Sequence, residues 1–431
     1  MENTMILNKN SISGYNQKPN YITMLGGFIC MLAALFYSYD FFIRVAPSVM
    51  IDPLMSTFNI DSESIGFLSA AYFYAYIIFQ IPAGVILDRY DSKWVISGAM
   101  FLCVLGNFLF SVAPSYDIAF LGRILMGIGS AFGFIGAAKL ASMWLPNRFF
   151  SAFIGFATIL GVMGGFVTDS ILNSLVMDLG WRSGNNVFTY IGVALFILML
   201  IFIKDNKEYL NARTVQENPS TRKQIKELLI LAKSAKFWSA GILSGTLFIP
   251  INVLASLWGV GFIESKLGVT HGTAAYLNSL LFIGNAVGCI VFSVISTYTT
   301  RYRFLLVLSC IFLTIFLLLT IYMPMNLWVF AVIYFMIGVS VGPQLLTFGL
   351  GKSIASKGST ATAIAGINMI CNFVGSVLLP LFGWILVFES IHHIAGTSYT
   401  LNEYYYAMGM IPVLTLFSIP ICMVLPKHIK L

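Results

Sequence analysis

The sequence predicts an all-α integral membrane protein with twelve transmembrane helices in two six-helix halves and both termini in the cytoplasm. Apolar residues make up 58% of the 431 positions and charged residues only 10%, whereas a soluble domain carries about 25% charged residues. The mean hydropathy is +0.87. A helix needs about 20 mostly apolar residues to cross a bilayer, so the chain has room for a dozen crossings with short loops.

The apolar stretches form two sets of six, separated by a long basic segment. Within that segment, residues 221–236 place apolar side chains on one helical face and lysines around it, which predicts a helix lying on an anionic inner leaflet. A plain solvated linker is the alternative. The predicted domains are an N-terminal tail at 1–20, a first half at 21–203, a linker at 204–236, a second half at 237–425 and a C-terminal tail at 426–431.

The basic residues are distributed unevenly between the two sides of the membrane. With the N-terminus inside, nineteen lysines and arginines lie in inner loops, tails and the linker, and two, Arg182 and Lys266, lie in outer segments. Basic residues concentrate in cytoplasmic loops, so both termini are predicted to be cytoplasmic. The net charge of +7 therefore reflects membrane topology and does not indicate nucleic-acid binding.

Asp40 and Arg44 stand out because both are charged residues inside the first apolar stretch. Four residues make about one helical turn, so the two side chains share a face. Each charge costs roughly 2.5–3.5 kcal/mol at the centre of a bilayer on insertion scales. Paired and facing a wet cavity, they would form a binding site; an ion pair near the outer membrane edge is the alternative.

A short polar loop follows the second apolar stretch. It reads Gly84-Val-Ile-Leu-Asp88-Arg89-Tyr-Asp-Ser-Lys93. Gly84 allows close helix approach, and Asp88 suits the positive end of a helix in the other half. This loop resembles the signature of the major facilitator superfamily, although Asp91 and Ser92 replace the family's usual glycine and basic residue. The resemblance implies a conformational latch on the cytoplasmic side, made by Gly84, Asp88, Arg89, Lys93 and Arg148.

Two further charged residues lie within apolar stretches of the first half. Arg123, followed by Gly127 and Gly129, resembles the family's arginine-then-glycines pattern in its fourth helix. An intramembrane arginine is a functional candidate; an arginine bonded to backbone carbonyls is the alternative. Asp169 lies near a glycine-rich run, and it is either a buried acid or a simple polar residue at the outer side.

The leading functional interpretation is a secondary transporter that carries a small organic solute by alternating access, with uptake coupled to a proton. Arg44 would bind a substrate carboxylate. Asp40 would bind an ammonium group or the coupling proton, with Asp169 as the alternative proton carrier. Opposite charges suit a zwitterion, so an amino acid or short peptide is predicted first, and a carboxylate or siderophore second. Residues expected to complete the pocket are Tyr37, Tyr72, Tyr76, Arg123, Asn252, Asn285, Gln344 and Asn372.

Residues 39–48, with Tyr39, Asp40, Arg44 and Ser48, are similar to the first helix of organic-anion symporters and of proteobacterial intraphagosomal amino-acid permeases. That resemblance implies a bacterial inner-membrane carrier. A membrane enzyme is disfavoured because the sequence lacks HExxH and any acid cluster with metal spacing, so no cofactor or metal is predicted. A channel remains a third class. The chain also lacks a GxxxxGK[ST] loop, which favours an ion gradient as the energy source. The expected partners are the substrate, a proton and the lipid bilayer, and the protein is predicted to be a monomer.

Overall fold

The structure is a computed structural model, and it describes residues 23–206, 229–299, 301–354, 360–389 and 399–425. In these residues twelve helices are long and apolar enough to cross a membrane, and no strand occurs. The all-α, twelve-helix prediction is confirmed; the orientation of the termini stays a prediction. The spans, numbered 1 to 12, are Met24–Val49, Ser62–Leu87, Ser92–Val112, Tyr116–Trp144, Ala152–Leu179, Trp181–Phe202, Ala235–Leu267, His271–Ser296, Tyr302–Tyr322, Leu327–Gly351, Ala363–Glu389 and Leu401–Val424.

The segment between spans 6 and 7 matches the predicted linker in position. Its first residues pack on the first half, where the indole nitrogen of Trp144 donates to the Lys204 carbonyl over 3.0 Å and the backbone nitrogen of Ser92 donates to Asp205 over 3.2 Å. Residues 221–228 of the predicted surface helix lie outside the described residues, and in the described half the helix ends at Leu231, before span 7 begins at Ala235. The predicted tails at 1–20 and 426–431 also lie outside the described residues. The domain boundaries therefore stay predictions.

Several spans depart from regular α-helix, and each departure coincides with a polar residue. Span 1 ends in a tight 3₁₀ turn over Ala46–Val49, which begins where Pro47 removes a backbone donor. Span 5 contains a π turn over Thr168–Leu172, and span 7 contains a π-helix over Pro250–Trp258. Span 10 is interrupted by a 3₁₀ turn over Gly342–Gln344. Such π segments occur often at functional sites because the extra residue re-aims the side chains.

The two halves meet closely at the end of the bundle where span 1 ends and span 2 begins, called the outer end here after the predicted orientation. Gly66 of span 2 lies so close to span 11 that a Cβ there would be 2.6 Å from the Cα of Pro380, and Gly383 packs just as tightly on the backbone of Ser62. Small residues at these positions let the helix backbones touch. The bundle is therefore closed at its outer end.

The opposite, inner end is more open around the predicted latch. A Cβ at Gly84 would meet no described atom within 4 Å. Among the described residues, the close helix approach predicted at Gly84 is therefore not observed.

Candidate functional site

Asp40, Arg44 and Tyr72 form a buried polar group in the middle of the first half. The Arg44 Nη2 lies 3.4 Å from Asp40 Oδ2, and its Nε donates to the Tyr72 hydroxyl over 3.4 Å. Tyr72 in turn donates to Asp40 Oδ1. Asp40 is fully buried and Arg44 is 5% exposed. Spans 1 and 2 thus hold the predicted pair together as one hydrogen-bonded group.

An aromatic cage surrounds the Arg44 guanidinium. Its central carbon lies 4.5 Å from the ring centre of Phe41, 5.4 Å from those of Tyr72 and Tyr76, and 5.5 Å from that of Phe73. A cation over an aromatic face is stabilised by about 0.5–2 kcal/mol, more when water is excluded. The planar guanidinium suits such a cage better than a lysine ammonium, which is more strongly hydrated.

Tyr37 lies beside this group without a described hydrogen bond. Its ring centre lies 5.3 Å from that of Phe41, which it meets edge-on, and 5.3 Å from that of the tilted Phe134 ring. A Cβ at Gly161 of span 5 would be 2.8 Å from the Tyr37 ring. The glycine therefore makes room for the tyrosine, and the predicted pocket role of Tyr37 stays a prediction.

The Arg123 side chain donates its hydrogen bonds to backbone carbonyls. This is the alternative given for it above, and it corrects the predicted role of Arg123 as a substrate ligand. Its Nη1 donates to the Ile43 carbonyl over 2.6 Å, and its Nη2 donates to the carbonyls of Arg44 and Ser69 over 3.2 and 3.3 Å. Its Nε donates to the Leu68 carbonyl over 3.4 Å. A side chain that bonds four carbonyls of spans 1 and 2 has little left for a ligand, so we interpret Arg123 as a positioning residue for Arg44.

We expect Arg123→Lys to lower thermal stability, because a lysine cannot bond four carbonyls at once. Each hydrogen bond lost from the charged guanidinium costs about 1.5–3 kcal/mol. The measurement is the melting temperature in detergent, followed by size-exclusion fluorescence. If the melting temperature stayed unchanged while substrate binding was lost, Arg123 would be a ligand after all.

Asp169 connects the two halves at the outer end. It lies in the π turn of span 5, where its Oδ1 accepts from Ser48 over 2.9 Å and its Oδ2 accepts from the amide of Asn278 in span 8 over 2.8 Å. Asn278 also donates to the Ala255 carbonyl and accepts from Tyr334. The buried acid is therefore a contact between spans 5 and 8 and not a simple polar residue facing outside.

Polar residues of the second half lie in two places. Gln344 donates to Ser244 over 2.8 Å and is close to Cys371, so its described contacts stay within its own half. Asn285 accepts from the Cys289 thiol over 3.4 Å, and no described contact connects it to Arg44. The described hydrogen bonds of Gln344 and Asn285 therefore stay within the second half, and their substrate role stays a prediction.

A second group of polar residues of the second half lies near Tyr76 of span 2, which Asn368 contacts directly. Asn368 donates to the Tyr76 hydroxyl over 3.3 Å, and Asn372 donates to Asn368. Gln80 donates to the same hydroxyl over 3.4 Å. Asn252 lies against Gly375, one helical turn from Asn372. We call Tyr76, Gln80, Asn252, Asn368 and Asn372 the amide cluster.

Sequence reasoning missed Gln80 entirely. It counted Asn278 and Asn368 only among the polar residues of spans 7–12 and Ser48 only within the resemblance of span 1, without assigning their contacts. A signal existed for Gln80, which follows Tyr76 by one helical turn on the same face. Ser48 and Asn278 gave no such signal, because their partner Asp169 lies far away in sequence.

The predicted latch residues lie around the inner end of spans 2 and 3. The ammonium of Lys93 lies 5.4 Å from the Trp94 ring centre, and Arg89 ends the helix of span 2. The side chains of Asp88 and Arg148 lie outside the described part of the structure. The latch therefore stays a prediction. Within the described residues, no three of His, Cys, Asp or Glu are placed to hold a metal ion.

Comparison with known families decides the class of protein. The sequence model of the Major Facilitator Superfamily matches residues 27–426, nearly the whole chain. The chain belongs to the major facilitator superfamily. The described residues hold twelve helices that could span a membrane, so it is a multi-pass membrane protein of this superfamily.

Curated relatives of this superfamily member align over less than half of their length. The probable galactarate/D-glucarate transporter GudP of Bacillus subtilis is 27% identical over 191 residues, which are 42% of this chain and 41% of the relative. The probable sulfoacetate transporter SauU of Cupriavidus necator is 24% identical over 45% of this chain and 44% of its own.

Solved structures share the fold over almost the full length. A bacterial homologue of the human lysosomal transporter Spinster, solved in an inward-facing and unoccupied conformation, superposes with a TM-score of 0.76 at 14% identity and covers 95% of this chain and 99% of its own. A D-xylose-proton symporter gives a TM-score of 0.71 at 14% identity, over 93% of this chain and 97% of that one.

Proposed function

We propose that this transporter takes up organic acids together with a proton, and that Arg44 binds the acid group of the substrate. The observation that carries the proposal is a buried arginine in an aromatic cage, loosely held by its acidic partner. Charge-assisted bonds are usually about 2.7–2.9 Å long, whereas Arg44 and Asp40 are 3.4 Å apart. The guanidinium is therefore desolvated without being tightly bonded, which favours exchange of Asp40 for a substrate carboxylate or sulfonate.

An organic acid fits this geometry better than the amino acid predicted first. An amino acid would need Asp40 for its ammonium group, but Asp40 already accepts from Tyr72 and Arg44 and is fully buried. The substrates that the relatives are named for, galactarate or D-glucarate and sulfoacetate, are also acids. The amino-acid interpretation remains the second candidate because it uses both charges of the pair.

The proton is assigned to Asp40, because substrate and proton would then be linked. When a substrate acid draws Arg44 away, Asp40 loses a neighbouring positive charge, and its protonated form is favoured. Binding of either partner then promotes binding of the other by the same factor. Asp169 is the alternative carrier, since it is also a buried acid.

Uptake into proteoliposomes tests this proposal. Radiolabelled D-glucarate, sulfoacetate and a panel of amino acids would be offered with and without an inward proton gradient. We expect the acids to accumulate only with the gradient. Accumulation of amino acids alone would transfer the proposal to the second candidate, and equilibration without accumulation under every gradient would exclude proton coupling.

The Asp169–Asn278 contact should hold the outer end closed. We expect Asn278→Leu to enlarge the outward-open population, because one hydrogen bond to a charged group is worth about 1.5–3 kcal/mol. Spin labels at the exposed outer positions 56 and 276 would report a longer distance between the halves. The six native cysteines are buried and should label poorly.

The matched control for this measurement is Thr320→Val. The Thr320 hydroxyl is buried and donates to the Phe316 carbonyl of its own helix over 2.8 Å. An unchanged distance in Asn278→Leu would contradict the closing role, and an equal shift in both variants would attribute the effect to general loosening of the bundle.

A further inference from the structure

Four buried amide atoms of the amide cluster have no hydrogen-bond partner in the described structure. They are Oε1 of Gln80, Oδ1 of Asn372, and both Nδ2 and Oδ1 of Asn252. The three side chains are only 3%, 3% and 1% exposed, respectively. Leaving such an atom unpaired costs about 1–3 kcal/mol, so three such residues in one region point to a missing ligand.

The hydrogen bonds of Asn372 show which kind of partner its unpaired oxygen requires. Its Nδ2 donates to the backbone carbonyl of Asn368 over 2.9 Å, and a carbonyl can only accept. The amide orientation is therefore defined, and the unpaired Oδ1 can be satisfied only by a hydrogen-bond donor. The amide orientation of Asn368 is defined in the same way, because its Oδ1 accepts a hydrogen bond from Asn372 over 3.3 Å.

Asn252 presents both a donor and an acceptor. It lies in the π-helix of span 7, and a Cβ at Gly375 would be 2.7 Å from its own Cβ. No larger residue could stand at 375 without displacing Asn252, so the glycine lets the amide approach span 11 one turn from Asn372. An amide with both functions free matches a group that itself donates and accepts.

Tyr76 makes the amide cluster continuous with the acid-binding arginine. Its ring stacks on that of Tyr72 at 6.1 Å, and the Arg44 guanidinium lies 5.4 Å from its centre. Its hydroxyl receives the bonds from Gln80 and Asn368. Tyr76 thus lies between Arg44 and the unpaired amide atoms of spans 2, 7 and 11, so a molecule bound to Arg44 would have these atoms beside it.

We propose that the amide cluster binds hydroxyl groups of the substrate, so that the acid carried is a hydroxylated one; this rests on the proposed organic-acid function. A hydroxyl donates one hydrogen bond and accepts others, which satisfies both the lone oxygen of Asn372 and the free amide of Asn252. A second carboxylate in this place would face acceptor oxygens. The lysines and arginines of spans 7–12 lie only at the helix ends.

The test compares two six-carbon diacids that differ only in hydroxyl groups, D-glucarate and adipate. Dissociation constants of both would be measured by calorimetry on the purified full-length protein. We expect wild-type protein to bind D-glucarate at least tenfold more tightly, because a site built to pair a hydroxyl rejects the analogue that lacks it. Asn372→Leu should bring the two affinities together, because binding of D-glucarate weakens at least tenfold more than binding of adipate.

Asn372→Ser retains a polar side chain and should recover part of the preference for D-glucarate over adipate. The control variant Thr320→Val should retain the whole preference. The melting temperature and a monodisperse size-exclusion profile show that each variant is folded. Equal affinities of the wild-type protein for D-glucarate and adipate would overturn the hydroxyl proposal. If Arg44→Lys then weakened binding of both probes, the role of Arg44 in binding the acid group would still be supported. Failure of both probes to bind would overturn the organic-acid function, and the hydroxyl proposal with it.

Discussion

Exchange of Arg44 for lysine should weaken substrate binding by about 1–3 kcal/mol, the scale of a hydrogen bond to a charged group. This is roughly a 5- to 150-fold rise in the dissociation constant. Lysine retains the positive charge, so Asp40 keeps a cationic neighbour. It loses the planar fork that binds an acid group through two parallel bonds, and it is solvated too strongly for the aromatic cage. Calorimetry with D-glucarate or sulfoacetate on the purified protein provides the measurement.

The matched control is Arg182→Lys. Arg182 also lies on an aromatic ring, with its central carbon 4.3 Å from the Trp181 centre, and it donates to the Ser111 carbonyl over 3.0 Å. It is far from Arg44, near the outer end. Equal losses in both variants would mean that any arginine-to-lysine change harms the protein, and wild-type affinity in Arg44→Lys would exclude Arg44 as the acid-binding group.

The fold could be predicted because its signals are local in sequence. Each span is a run of apolar residues, and the bias of basic residues toward one set of loops needs only counting. The Asp40–Arg44 pair was accessible for the same reason, since residues four apart on a helix are neighbours whatever surrounds them. Tertiary contacts were not needed for either inference.

The rest of the site depends on contacts between distant segments. Arg123 looked like a ligand because it is a lone charge in an apolar helix, but the carbonyls of Ile43 and Ser69 that satisfy it belong to other spans. The π turns that aim Asp169 and Asn252 leave no trace in hydrophobic periodicity. These turns form where packing between helices favours them, which a single sequence does not display.

Replacing Asp40 with asparagine should abolish accumulation driven by a pH gradient while preserving counterflow of labelled against unlabelled substrate. Asparagine has nearly the shape of aspartate and can still accept from Tyr72, so the site should stay assembled. It cannot bind and release a proton. Counterflow needs no net proton movement, whereas uphill uptake does. Asp117→Asn is the matched control, because Asp117 is an exposed acid in the first turn of span 4.

The same assay on Asp169→Asn separates the two buried acids. Asp169 accepts from Ser48 within the first half and from Asn278 of the second half, so its exchange should mainly alter the balance between closed and open outer ends and change the turnover rate. If Asp40→Asn still accumulated substrate and Asp169→Asn did not, the proton would be carried at the contact between spans 5 and 8. If both variants accumulated normally, neither acid would couple transport, and uniport or another ion would replace the proton in this mechanism.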